Sequence, residues 1–349
     1  MGPMQPSVLI NSKWRNHART TGVQRYACDL TQSLEALGVG FDDARPDSGS
    51  AWRMTLWEQR VLPGIARSYD VLLCPANAAP WRVHRDVRVV LTVHCLRFHF
   101  HPESYSRSFV KWYRYMIPRA IERADCVLTV SQTTARQIES VYPQAAGKVS
   151  AVYPGISGVF GTQGSEGDRA VPDGAYWVFV GNAGEAKNLR VVLEAMNLSD
   201  QSHRVVLMGV DRAGLDSIGV SYDPDRVIAL GHVNDSDRVA SIYRGAIGLL
   251  APSVYESFDL PSVEAMACGG AVIASDIPVH REVLGEAAVF VDAEDGSAWG
   301  EAMDRVAGDR AMREGMIERG VERARAFCWK KSGERIAGIL GWNEQGGAR

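Results

Sequence analysis

Two glutamates eight residues apart, Glu256 and Glu264, have the type and spacing for chemistry on a hydroxylated, phosphorylated ligand. A carboxylate has about four lone-pair sites with which to accept hydrogen bonds from sugar or ribose hydroxyls. Between the two glutamates a helix is expected to open near Leu260-Pro261, and the free amides of a helix start suit a phosphate. Lys187 stands at the expected start of another helix and supplies a point charge for a phosphate. His94 ends the apolar run 87–93, at a strand end of the kind where site residues accumulate. Each residue has an ordinary structural role on its own. Glu264 would offset a helix dipole, Glu256 and Lys187 would be solvated, and His94 would be satisfied by backbone. The pattern as a whole is more specific than any of these.

The elements that must position these residues alternate regularly. Residues 247–251 read as a buried strand, 252–257 as a polar turn, and 260–268 as a helix with Pro in its first turn, stopped by Gly269-Gly270. Residues 271–275 are a second buried strand. Such a strand–loop–helix–strand unit belongs to a parallel sheet and opens its loop at the carboxyl edge, where ligands bind. Further strands are expected at 176–181, 204–209 and 227–231, the first running into Asn182 and Lys187 and the last into His232-Val233. The first half offers strands at 7–11, 70–75, 87–94, 125–131 and 149–154. It also offers a helix over 23–37 with Val23, Tyr26, Ala27, Leu30, Leu34 and Leu37 on one face, and a helix over 132–142 capped by Ser131. A last helix is expected over 327–340. This organisation predicts an N-terminal domain 1–160, a Gly-, Asp- and Ser-rich linker 161–174, a second domain 175–326 and a C-terminal segment 327–349.

Composition narrows the class. With 349 residues, 46% apolar and 23% charged, the chain supports two full cores. No run of 18 apolar residues is present, and the N-terminus lacks the pattern of a secretory signal. The six cysteines are scattered without a C-x-x-C pair, which predicts reduced, buried thiols and no structural zinc. Residues 1–175 hold 20 Lys and Arg against 15 Asp and Glu, while residues 176–349 hold 18 against 26. The basic half suggests an anionic partner on that side. Within it, residues 97–123 interleave six Lys and Arg with Phe98, Phe100, Tyr105, Phe109, Trp112, Tyr113 and Tyr115. This segment is expected to form core on its aromatic side and a solvated basic face on the other, with contact to an anionic membrane or to a single-stranded nucleic acid as minority readings. The pairs Asp223/Asp225 and Asp235/Asp237 imitate an acidic metal motif, but each reads as a turn or cap and no metal is assigned.

The stretch Glu256-Ser-Phe-Asp-Leu-Pro-Ser-Val-Glu264-Ala-Met-Ala-Cys-Gly-Gly resembles the E-x7-E signature of retaining, GT-B-fold glycosyltransferases of family 4 (glycosyl transferases group 1). The resemblance extends to Thr21-Gly22-Val23-Gln24-Arg25-Tyr26, to His94 and to residues 276–282, and it favours bacterial mannosyltransferases of surface-polysaccharide assembly. It implies an α/β, GT-B fold, two facing Rossmann-like parallel-sheet domains with a cleft between them, the final helix crossing back to the first domain. Implied roles are Glu256 on the transferred sugar, Glu264 on the ribose, and the backbone of Phe258, Asp259 and Leu260 on the diphosphate. Val233 would hold the base through its backbone. Gly181, Asn182, Lys187, Gly22 and Arg25 would surround the phosphates, and His94 would approach the donor sugar and acceptor. Three departures stand out: Asp259 replaces a customary Gly, Cys95 replaces an Asp after His94, and the Arg usual near Lys187 is absent, leaving Arg15, Arg19 or Arg25 to supply it.

The expected activity is transfer of a hexose, with retention, to a hydroxyl of a glycan or polyprenyl-diphosphate-linked acceptor. The donor expected first is GDP-mannose. No metal or cofactor is expected, nor a nucleic-acid partner. The expected location is cytoplasmic, with peripheral contact at the inner face of the cell membrane. The alternatives are a UDP-sugar-dependent glucosyl- or N-acetylglucosaminyltransferase, a UDP-sugar epimerase of the same fold, and a non-catalytic nucleotide-sugar-binding protein.

Overall fold

The computed structural model describes residues 5–16, 21–47, 50–164, 171, 174–199 and 203–342. The chain divides into two compact units. One comprises residues 1–155 with 328–349, and the other residues 156–327.

The first unit is built on six parallel strands: β1 (Val8–Asn11), β2 (Asp42–Ala44), β3 (Val71–Cys74), β4 (Arg88–Thr92), β5 (Cys126–Thr129) and β6 (Val149–Ala151). Their order is β2-β1-β3-β4-β5-β6, so the chain reverses direction across the sheet between β1 and β3. Strands β1, β3 and β5 are buried along their whole length, as continuous apolar strands covered on both faces must be. Helices Ala51–Arg60 and Arg107–Arg123 pack their apolar faces on this sheet. Phe98, Met116, Ile117 and Ile121 join its core, with Tyr105, Phe109, Trp112 and Tyr113 half-buried against it. The basic, aromatic segment therefore spends most of its aromatic residues on packing, while Phe100 and Tyr115 remain exposed.

The C-terminal helix Trp329–Leu340 lies on the helix Gly22–Ala36 within this same unit. Gly333 makes the close approach possible, because a Cβ there would meet Ser33 Oγ at 2.1 Å. Ser33 Oγ donates to the Trp329 carbonyl at 2.7 Å, and Ser332 Oγ donates to the Tyr153 carbonyl at 2.6 Å. Residues 156–160, expected in the first domain, fall in the second unit. Ile156 N–H bonds the Phe327 carbonyl, and Phe160 packs near the Tyr243 ring, so tertiary packing moves the boundary ahead of the Gly-rich stretch.

The second unit has six parallel strands: β7 (Tyr176–Val180), β8 (Arg204–Met208), β9 (Val227–Gly231), β10 (Gly248–Ala251), β11 (Ala271–Ser275) and β12 (Ala288–Val291). Their order, β12-β11-β10-β7-β8-β9, is the doubly wound Rossmann arrangement, with the switch between β7 and β10. Its core holds the fully buried Trp177, Phe179 and Trp299 between the sheet and its helices. Both units are thus six-stranded parallel α/β sheets, as the GT-B resemblance implies.

Candidate functional site

The loops after β7 and β10 are neighbours at the carboxyl edge of the second sheet because those two strands pair. They are also tied directly. Val254 N–H donates to the Ala186 carbonyl at 3.0 Å, and Asn188 Nδ2 donates to the carbonyls of Pro252 and Ala293. Asn188 adopts a left-handed conformation, φ 52°, which Asn tolerates, and this turns the chain from the short 3-10 helix Glu185–Lys187 into the helix Leu189–Leu198.

Lys187 is thereby aimed at the β10 loop. Its Nζ donates to Glu256 Oε1 at 2.5 Å, and Ser253 Oγ donates to the same oxygen at 2.8 Å. Gly181 gives the lysine stem its path: a Cβ there would lie 3.0 Å from Lys187 Cγ and Cδ. Asn182 folds back on its own loop, accepting from Gly184 N–H at 3.0 Å.

The helix Leu260–Ala267 starts at Asp259, whose φ of 71° is left-handed. Glycine is the usual occupant of such a position, and Asp is among the few side chains that tolerate it. The Asp259 side chain turns inward rather than toward a ligand. It accepts from Ser262 Oγ and forms an ion pair with His280 Nε2 at 3.3 Å, both partners being buried. His280 Nδ1 in turn lies 2.9 Å from the Ser275 carbonyl. Nδ1 also lies 3.1 Å from the Ser275 hydroxyl, and Nε2 faces Asp259 at ion-pair distance without hydrogen-bond geometry. Burial opposes the charge on either partner, but their mutual contact outweighs it, raising the His280 pKa and lowering that of Asp259. The negative charge that Asp259 would bring to a diphosphate site is thus countered by the buried His280 behind it, whose raised pKa favours the protonated ring. Ser275 Oγ continues the network by donating to the Ser253 carbonyl.

Glu264 sits on the next turn of the same helix, 3% exposed, and Phe258 packs edge-on against Phe327 at 5.3 Å. Leu260 is the first helical residue, with Pro261 beside it in the first turn. Val233 follows β9, where Gly231 N–H bonds the Val210 carbonyl. Lys187, Glu256, Asp259 and Leu260 therefore share one sheet edge, with Glu264 on the helix that begins there. Nothing local in the sequence marks the part that His280 plays. Its position five residues after the end of β11 could have suggested a partner for an unusual Asp.

The remaining expected site residues lie in the first unit. His94 is buried after β4. Its backbone N–H donates to Asn77 Oδ1, and its Nε2 donates to the Pro75 carbonyl at 2.8 Å. Burial pushes its pKa down to about 4, so the ring is neutral. Gly22 opens the helix Gly22–Ala36 with open space around it. Arg25 reaches Asp29 at 3.9 Å and Arg15 reaches Asp43 at 3.5 Å, while Arg19 lies outside the described residues. Asp235 caps the helix Ser236–Gly245 and Asp223 closes a turn on Asp225 N–H. Among the described residues no group of three or more His, Cys, Asp or Glu is arranged to hold a metal ion. The cysteines are free, but Cys28, Cys95 and Cys328 are only half-buried.

The family described as "Glycosyl transferases group 1" matches residues 167–323, the unit carrying Lys187, Glu256 and Glu264. The family described as "Glycosyltransferase Family 4" matches residues 39–157. The chain belongs to glycosyltransferase family 4. It is 28% identical over 219 residues to the O-antigen chain mannosyltransferase RfbU of Salmonella typhimurium, covering 62% of this chain and 60% of that protein. The match thus spans less than two thirds of that relative's length. Sucrose-phosphate synthase from Thermosynechococcus elongatus shares the family 4 chain's fold at a TM-score of 0.76 and 20% identity, over 97% of this chain and 98% of that one. Anabaena HepE, determined in complex with UDP-glucose, superposes at 0.71 and 14% identity, over 97% and 100%. Among the described residues no helix of this family 4 member is long and apolar enough to cross a membrane.

Proposed function

We propose that this protein transfers a hexose from a nucleoside-diphosphate sugar to an acceptor hydroxyl, with retention at the anomeric carbon. The observation that carries this reading is the Lys187–Glu256 contact beside the amide-rich start of the helix Leu260–Ala267, at the switch between β7 and β10. The helix amides and the Lys187 ammonium would hold the diphosphate and stabilise the charge that develops on it as the glycosidic bond breaks. Glu264 would accept from ribose hydroxyls and Glu256 from hydroxyls of the transferred sugar, with backbone near Val233 against the base. Attack would come from the face the diphosphate leaves, and a diphosphate oxygen would take the acceptor's proton. No bound metal is invoked, since Lys187 and the amides supply the positive charge.

Similarity to an O-antigen mannosyltransferase favours GDP-mannose as donor and a lipid-linked glycan as acceptor. A UDP-sugar donor is the second reading, favoured by the fold shared with HepE bound to UDP-glucose. The exposed Phe100 and Tyr115, in the same segment of chain as the exposed Arg107, Lys111 and Arg114, support peripheral contact with an anionic membrane.

The test is thermal stabilisation by GDP, UDP and ADP, each with and without EDTA, in wild type and Glu264→Ala. A ligand at about 100 times its Kd adds roughly 2.7 kcal/mol. Stabilisation by GDP alone, unaffected by EDTA and lost in Glu264→Ala, is expected. A response to UDP alone would move the donor to a UDP-sugar, and no response to any nucleotide would overturn the reading.

A further inference from the structure

The loop 253–259, which carries Glu256, rests at both of its ends on one side chain. At the far end Asp259 lies 3.3 Å from His280 Nε2. At the near end the Ser253 carbonyl accepts from Ser275 Oγ, which itself lies 3.1 Å from His280 Nδ1. His280 belongs to the helix Pro278–Leu284 and is 0% exposed, and Ser253, Asp259 and Ser275 are buried with it.

These contacts locate the proton that can come and go. The Ser275 carbonyl, 2.9 Å from Nδ1, can only accept. The single hydroxyl proton of Ser275 is already given to the Ser253 carbonyl, so it is not available to Nδ1. Nδ1 therefore keeps its proton in both charge states of the ring. The titrating proton is the one on Nε2, facing Asp259. Burial works against that proton, but Asp259 and then Glu256 outweigh it and raise the ring's pKa. Lys187, from the β7 loop, acts on Asp259 from its other side. On the histidine's own helix, Arg281 is paired at the surface with Asp276. Loss of the Nε2 proton would leave a buried carboxylate without its cation directly beneath the helix amides. That charge would oppose an anion in front of them and loosen one end of the Glu256 loop.

We propose that His280 is a positioning residue of the donor site, its Nε2 proton holding the loop 253–259 in the form that takes a nucleoside diphosphate. Donor affinity then falls when this one buried proton is lost. The proposal rests on the transferase reading of the site and adds its regulation. Linkage makes the coupling readable from both sides: if the protonated ring binds the nucleotide about tenfold more tightly, bound nucleotide raises the ring's pKa by about one.

The experiment titrates the histidine rings by NMR in full-length, ¹⁵N-labelled protein, alone and saturated with GDP or UDP. The His280 signal is assigned with the double variant Asp259→Gly/His280→Leu, and the Kd of each nucleotide is measured by calorimetry across the same range, from neutral to alkaline pH. In wild type the Kd should rise about tenfold as the ring loses its proton. The lost proton should be the one on Nε2, and the nucleotide should move the titration to higher pH. In Asp259→Gly the ring should titrate at about 6.5 or below, and the step in Kd should move down with it. The double variant should show no such step, keeping only the changes due to the nucleotide and Lys187. A wild-type Kd profile parallel to that of the double variant would overturn the proposal. So would a ring titration unmoved by a nucleotide that binds, loss of the Nδ1 proton instead, or a midpoint in Asp259→Gly as high as in wild type. Absence of binding by either nucleotide at every pH would overturn the transferase reading and this proposal with it, whereas binding to which His280 is indifferent overturns this proposal alone.

Discussion

Replacing His280 by Leu should destabilise the protein more than replacing its partner Asp259 by Gly. The asymmetry follows from which orphan can discard its charge. In Asp259→Gly, His280 keeps its Nδ1 contact to the Ser275 carbonyl and needs only to lose the Nε2 proton. An ordinary histidine is already mostly neutral at pH 7, so this costs well under 1 kcal/mol beyond the lost ion pair. Glycine also relieves the left-handed φ of 71°, worth about 1 kcal/mol. The net loss should be about 1 kcal/mol. In His280→Leu the Asp259 carboxylate remains buried without its cation. Protonating an ordinary aspartate at pH 7 costs about 4 kcal/mol, and a buried charge stripped of its partner costs about 3–5 kcal/mol. The Ser262 hydroxyl, still donating to Asp259, holds the loss near the lower end, about 3 kcal/mol. The double variant carries no charge to strand and should recover much of the difference, giving a coupling of about 2 kcal/mol. Urea unfolding of the four proteins at pH 7 measures all three quantities. The pH dependence gives an independent check. The raised His280 pKa contributes stability that is full below the ordinary histidine value of about 6.5 and is lost as pH rises through the folded value. The lowered Asp259 pKa contributes stability present above about 3.9 and lost as pH falls through its folded value. Wild type should therefore lose stability between neutral and alkaline pH that the double variant does not. A His280→Leu loss no larger than that of Asp259→Gly, or parallel alkaline profiles, would refute the imidazolium–carboxylate pair.

Lys187→Ala should lower transfer turnover by roughly 10²-fold, the scale set by removing one charge-stabilising donor, measured as nucleotide release with the donor identified by thermal shift. Gly181→Ala, whose Cβ would press on the Lys187 stem, should lower activity while shifting the melting temperature little. His94 is held neutral with a pKa of about 4 against about 6.5 unfolded, so the unfolded chain takes up its proton first as pH falls. Wild type should accordingly lose about 3 kcal/mol more than His94→Gln between pH 7 and pH 4, by urea unfolding at each pH.

Ten of the twelve strands, all but the edge strands β2 and β12, were legible in the sequence because parallel strands covered on both faces are continuous apolar runs, as in residues 71–74 and 248–251. The Glu256–Glu264 spacing was legible because both residues fall on one strand–loop–helix unit, where sequence distance is nearly spatial distance. What stayed hidden depended on contacts across the sheet. β2, Asp42–Ala44, is only three residues long, and two of them are exposed. It carries no apolar run and exists by pairing with β1. Glu58 is an acid in an amphipathic helix, and nothing local says that Asn11 and Lys13, more than 40 residues earlier, will meet it at the floor of a cavity.

Asp259 shows how a departure from a family pattern is absorbed. Read alone, an acid in place of glycine beside an anion-binding helix start is a defect on two counts, backbone strain and like charge. The structure answers the first with a residue type that tolerates the left-handed region and the second with His280, 21 residues downstream and fixed by the Ser275 carbonyl. The same network runs on through Ser275 Oγ to the Ser253 carbonyl, and Ser253 Oγ holds the oxygen of Glu256 that Lys187 also grips. A glycine at 259 would leave the helix start free of strain but would remove the buried carboxylate that raises the His280 pKa. In this chain the loop that carries Glu256 is therefore anchored by charge from beneath, where glycine would supply only conformational freedom. His280 should accordingly be exchangeable only together with Asp259, whereas Asp259 alone can give way to glycine at a loss of about 1 kcal/mol.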